Sequence, residues 1–94
     1  MDMKKKSKIP EYGSLPDLSK MKVVVGTKQL KKAVNSGSAR YVFLAENADP
    51  ADTEPLEELC KQNQIQITWV RSMADLGRAC GIEVGAAAAA VLNP

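Results

Sequence analysis

The sequence predicts an α/β domain with helices on both faces of a small sheet. Three observations predict it. Short apolar runs at residues 22–25, 40–45 and 65–70 alternate with segments whose apolar residues recur every three to four positions. Residues that start and stop helices bracket those periodic segments. Hydrophobic residues make up 45% of the 94 residues, enough for one core, but aromatics only 4%, so Ala, Val, Leu and Ile must fill it.

Residues 1–13 hold Lys4-Lys5-Lys6, Pro10 and Gly13 and are expected to form a flexible basic arm, leaving 14–94 as a single domain. Ser14 caps a short expected helix to about Lys20, with Pro16 in its first turn. Lys22 to Val25 is a short strand. From Gly26 to Ser36 the pattern is helical: Leu30, Ala33 and Val34 form a buried stripe, while Lys28, Lys31, Lys32 and Asn35 share the opposite face. Gly37 supplies the stop. Arg40 to Ala45 is a mostly apolar strand, as expected at a sheet centre.

Glu46 to Asp52 is a polar loop, and Asp52 or Thr53 is expected to start the next helix, with Leu56, Leu59 and Cys60 inward. Glu54, Glu57 and Glu58 favour the N-terminal half of that helix through its dipole. Ile65 to Val70 is a strand with Ile65, Ile67 and Trp69 on one side. Ser72 and Asp75 form a capping box that opens a helix with Leu76, Ala79 and Cys80 inward, ending at Gly81. Ala86 to Leu92 is ambiguous. Alanine favours helix, but a place after three strand–helix units favours a last strand, and a strand is the expectation adopted.

Several function classes recede. The chain has no histidine, the commonest general base and metal ligand. Cys60 and Cys80 make no CxxC pair and are expected to be reduced core thiols of a cytoplasmic protein. No apolar stretch reaches the ~18 residues of a membrane helix, and no apolar run follows the basic N-terminus as in a secretory signal. Glu46, Asp49 and Asp52 are better explained by turn and cap chemistry than by acid–base catalysis. No catalytic constellation, metal site or cofactor is therefore expected.

The net charge of +2 hides an asymmetry: residues 1–40 hold ten Lys/Arg against three Asp/Glu, and residues 41–94 hold three against eight. A basic tail and a solvated acidic helix account for part of it, but not for Lys28, Lys31 and Lys32 inside a structured element. A helix start offers unpaired N–H groups to anions. The start at 26–32 adds three lysines and the Gln29 amide, so it is suited to hold phosphates and read base edges. It is no P-loop and no dinucleotide loop, because neither glycine pattern is present. The expected ligand is RNA or DNA. Trp69 fits core packing better than base stacking, by its alternation with Ile65 and Ile67. A rival reading is a protein–protein interaction module that uses the acidic helix 53–63 and the loop 82–84, with the lysines merely solvated.

The run Val25-Gly26-Thr27-Lys28-Gln29, followed by Lys32-Ala33-Val34, resembles the kink-turn-binding ribosomal protein family L-seven-Ae/L-thirty-e. Leu44 to Pro50, Val70 to Met73, and Leu76 to Val84 continue the likeness in uninterrupted register over about residues 15–92. Its short bacterial members, with the same GTKQ start, are the most similar. The resemblance implies a three-layer α/β/α sandwich with a small mixed sheet of about four strands. It implies a monomer that binds a kink-turn, an RNA helix–bulge–helix with tandem sheared G·A pairs, in ribosomal or riboswitch-like RNA. It also implies roles. Gly26 and Thr27 would allow close backbone approach, Lys28 and Gln29 would contact guanine edges, and Lys31 and Lys32 would meet phosphate. Ile82, Glu83 and Val84 would pack on bulged nucleotides, and Asp49 would line a flipped-base pocket. Two positions depart from many archaeal and eukaryotic relatives, which carry Asn-Glu at Lys28-Gln29 and often lysine at Met73.

Overall fold

The structure, a computed structural model, describes residues 18–94. The arm expected at 1–13 and residues 14–17 of the expected first helix lie outside the described residues. The rest of that expected helix is a 3-10 turn, Leu18–Lys20. The elements that follow are β1 Val23–Val25, α1 Thr27–Asn35, β2 Ala39–Ala45, α2 Pro50–Gln62, β3 Ile67–Val70, α3 Met73–Cys80 and β4 Ala88–Leu92.

The four strands form one mixed sheet in the order β1-β4-β2-β3. β4 is antiparallel to both β1 and β2, and β2 is parallel to β3. The three earlier strands therefore share one direction, and β4 runs against them through the middle. Side chains alternate across this sheet. Val42, Leu44, Ala88 and Ala90 face α1 and α2 and pack with Leu30, Val34, Leu56 and Cys60. Phe43, Ala45, Ala89 and Val91 face the other way and pack with Leu18, Leu76 and Cys80. The result is the three-layer sandwich that the sequence implies, with α1 and α2 on one face and α3 and the 3-10 turn on the other.

The alanine run is a strand because it has two partners. Backbone ladders on both sides outweigh the helical preference of alanine. Its small side chains are buried on both faces, which lets the covering helices approach closely. Several boundaries differ from the sequence reading: β1 starts at Val23 rather than Lys22, β2 at Ala39 rather than Arg40 and β4 at Ala88 rather than Ala86. α2 starts at Pro50, ahead of the expected Asp52 or Thr53, because Asp49 is its cap and Pro50 its first helical residue. β3 begins at Ile67 rather than Ile65, because Gln64 turns the backbone through φ 57° and the Ile65 N–H donates to the Cys60 carbonyl at the end of α2.

Cys60 and Cys80 are free thiols, buried in cores on opposite faces of the sheet. Burial, with a smaller contribution from the Glu57 carboxylate, pushes the Cys60 thiol up to about 11 from its ordinary 9.0. Burial also raises Cys80. A thiol whose folded pKa exceeds its unfolded value stabilises the fold below the unfolded pKa, and that contribution is lost as pH rises toward the folded one. The urea midpoint is therefore expected to fall between about pH 9 and 11, and to fall less in Cys60→Val, as followed by circular dichroism.

Candidate nucleic-acid interface

Because β1, β2 and β3 run in one direction, their C-terminal ends meet at one edge of the sheet, and each leads into a helix N-terminus. The start of β4 closes the same edge. Hydrogen bonds tie it together. The Gly26 N–H donates to the Ala88 carbonyl at 2.9 Å, Ala45 N–H to Ala87 at 2.9 Å, and Glu46 N–H to Val70 at 2.7 Å. The Met73 N–H donates to Asn47 Oδ1 at 2.8 Å, and the Ala86 N–H to the Met73 carbonyl at 3.0 Å. Residues 26–29, 46–49, 71–73 and 82–88 thus belong to one connected surface.

The three helix starts on this edge are not alike. Asp49 caps α2, its side chain accepting from the Ala51 N–H at 3.0 Å. Ser72 caps α3, accepting from the Asp75 N–H at 3.1 Å. The cap position of α1 is Gly26, which offers no side chain, and the first turn of α1 holds no acid. The first intrahelical bond runs from the Leu30 N–H to the Gly26 carbonyl. The N–H groups of Thr27, Lys28 and Gln29 therefore precede any intrahelical acceptor and have no capping oxygen. They form an electropositive end, reinforced by Lys28.

Gly26 has φ 109° and ψ 155°, a backbone that side-chain-bearing residues rarely adopt, and the space beside it is open. Lys28, Gln29, Lys31 and Lys32 are all exposed, while Leu30, Ala33 and Val34 are buried. α1 therefore fixes one face in the core and presents the other as a cationic surface.

The remaining expected contacts divide. Val84 is 70% exposed and Glu83 is exposed, but Ile82 is half-buried and packs against the α3-side core. Ile82 thus supports this loop from beneath, and Val84 is the apolar group it presents. Asp49 is exposed on the same edge, with one carboxylate oxygen engaged in the α2 cap. Trp69 is half-buried against the α2-side core, as its alternation indicates.

Two residues escaped the sequence reading. Asn47 holds the 46–49 loop to the start of α3 across 26 positions, a link with no local signal. Gly77 is buried where the 82–85 segment crosses α3, and a Cβ there would run into the Val84 carbonyl oxygen. A glycine at helix spacing between Met73 and Gly81 was the available hint.

Comparison with known proteins gives the chain's relatives. Residues 14–94 match the model of the ribosomal protein L7Ae/L30e/S12e/Gadd45 family. An RNA-binding protein of Geobacillus sp. (strain WCH70) is 46% identical over 72 residues, which are 77% of this chain and 88% of that one. An RNA-binding protein of Bacillus pumilus (strain SAFR-032) is 44% identical over 70 residues, 74% of this chain and 85% of that one. Among solved structures, the Giardia lamblia 15.5kD RNA binding protein superposes with a TM-score of 0.76 at 28% identity, covering 83% of this chain and 66% of that one.

The close approach at Gly77 generates a prediction. Gly77→Ala must push the 84–85 backbone away from α3, and is expected to cost about 1–3 kcal/mol in urea unfolding. Faster amide exchange at 82–86 than in the parent protein, with β2 unchanged, locates the damage in that segment.

Proposed function

The chain belongs to the ribosomal protein L7Ae/L30e/S12e/Gadd45 family, and from that membership and its sheet edge we propose that it is a non-catalytic protein that captures kink-turn RNA. The observation that carries this reading is the contrast among the helix starts. α2 and α3 have capping side chains and first-turn acids, whereas α1 leaves its N–H groups to a ligand and surrounds them with lysine. The names of the bacterial relatives and of the Giardia protein, which state RNA binding, support the same partner.

On this reading the end of α1 enters the widened groove of the kink. The backbone at Gly26 and Thr27 approaches the RNA closely, because no side chain stands at the cap. Lys28 and Gln29 hydrogen-bond guanine edges of the sheared G·A pairs. Lys31 and Lys32, further along the exposed face, neutralise phosphates. Val84 packs on a bulged nucleotide, with Glu83 beside it. Asp49 borders a splayed base through the oxygen not held by the cap. Binding the bent form better than the extended one shifts the RNA toward the bend, and only that difference in affinity does so. The protein acts as a cytoplasmic monomer, in ribosomal or riboswitch-like RNA.

Titration of a labelled kink-turn against the same RNA with its G·A pairs replaced by Watson–Crick pairs tests the specificity. Tight binding to the first alone is expected, and equal affinity for both would contradict the proposal. The roles also separate. Lys32→Ala is expected to weaken all RNAs alike and reduce the salt slope by about one. Gln29→Ala is expected to cost about 1–3 kcal/mol on the kink-turn and much less on the replaced RNA.

A further inference from the structure

The side-chain amide of Asn47 has two ends, and the fold uses one of them. Its Oδ1 accepts from the Met73 N–H at 2.8 Å. A backbone N–H can only donate, so the amide oxygen must face Met73 and the nitrogen must face away. Nδ2 carries two N–H donors, and among the described residues nothing accepts from them. Asn47 is exposed, so these donors face solvent. Two other asparagines do the opposite. Asn63 gives its Nδ2 to the Leu59 carbonyl at 2.9 Å, and Asn93 gives its Nδ2 to the Gly37 carbonyl at 3.1 Å. In those two the donor is used inside the fold, whereas in Asn47 the acceptor is.

The place of Asn47 gives those donors a use. It lies two residues before Asp49, and through Met73 it is joined to Ala86, whose N–H donates to the Met73 carbonyl at 3.0 Å. It therefore stands between the loop 46–49 and the loop 82–84. Within these two loops Glu46, Asp49 and Glu83 have side chains that accept, and Ala48, Ile82 and Val84 are apolar. Asn47 alone there carries side-chain N–H donors. The N–H groups of Met73 and Asp75, at the start of α3, are already taken by Asn47 and Ser72.

The chemistry of the acceptor follows. Glu46, Asp49 and Glu83 are all exposed, and their charges disfavour phosphate on this part of the edge. An uncharged acceptor meets no such repulsion. Resting on the kink-turn reading above, we infer that Asn47 is a specificity-determining residue: with its oxygen held by Met73, its Nδ2 donates to a base carbonyl or ring nitrogen of an unpaired nucleotide in the kink. The bond to Met73 aims the donor before RNA arrives, so little side-chain freedom is lost on binding. A base that shows an N–H at that position sets donor against donor and is rejected.

Side-chain amide resonances of the full-length, isotopically labelled protein, followed as kink-turn RNA is added, test this directly. The Asn47 pair is expected to shift and to exchange more slowly with solvent, together with the backbone amides of residues 27–29. The Asn63 and Asn93 pairs, already bonded to carbonyls, are expected to stay in place. Asn47→Asp keeps an oxygen for the Met73 N–H and removes both donors. In that variant, free of RNA, the Met73 amide is expected to keep its protection from exchange, which shows that the loop is still joined to α3. Its kink-turn affinity is expected to fall about fivefold or more. That loss should be the same at about 0.1 and 0.3 M salt, because a missing donor to an uncharged acceptor is not screened. Unchanged affinity, or a loss that disappears at the higher salt, would overturn the inference. So would an Asn47 pair that stays in place while residues 27–29 shift, a result that leaves the kink-turn reading standing. If residues 27–29 do not shift either, both fail.

Discussion

The position of β4 is the constraint on which the rest of the molecule depends. It pairs with β1 and β2 at once, in registers that set Val25 against Ala89 and Leu44 against Ala88. Those registers place the start of β4 beside Gly26 and Ala45, where backbone hydrogen bonds join the three segments. A one-residue slip would exchange the faces of β4, turning Ala88 and Ala90 toward α3 and Ala89 and Val91 toward α1 and α2. It would also separate Gly26 from the loop 82–87. The small side chains of β4 keep that register compatible with helices packed on both faces.

Electrostatics acts on this frame without determining it. The lysines of α1 and the glutamates of α2 become two separate charges in space when α1 and α2 lie side by side on one face of the sheet. α1 then carries an uncapped cationic end, and α2 a capped acidic start. A modest net charge of +2 therefore describes neither surface.

Much of this was legible in the chain. The stripe Leu30, Ala33 and Val34 is buried and the lysines opposite are exposed, as a 3.6-residue period requires. The Ser72–Asp75 cap forms as its spacing indicates. Gly26 was marked by its place between an apolar strand and a basic helix. What was not legible depends on contacts distant in sequence. Asn47 is an ordinary loop residue until β2 and β3 pair and bring Met73 to it. Ile82 looks like part of an exposed apolar loop, and only the return of the chain along α3 turns it inward. The start of α2 was misplaced because Asp-Pro is equally good turn chemistry and cap chemistry, and local sequence does not separate them.

On the proposed function, RNA is held at the uncapped end of α1. Backbone amide resonances of the isotopically labelled protein, followed as kink-turn RNA is added, test it residue by residue. The largest shifts and the strongest new protection from exchange are expected at Thr27, Lys28 and Gln29, with a second group at Glu83 and Val84. Changes centred on Thr53–Glu58 or Thr68–Trp69, with residues 27–29 unmoved, would contradict it.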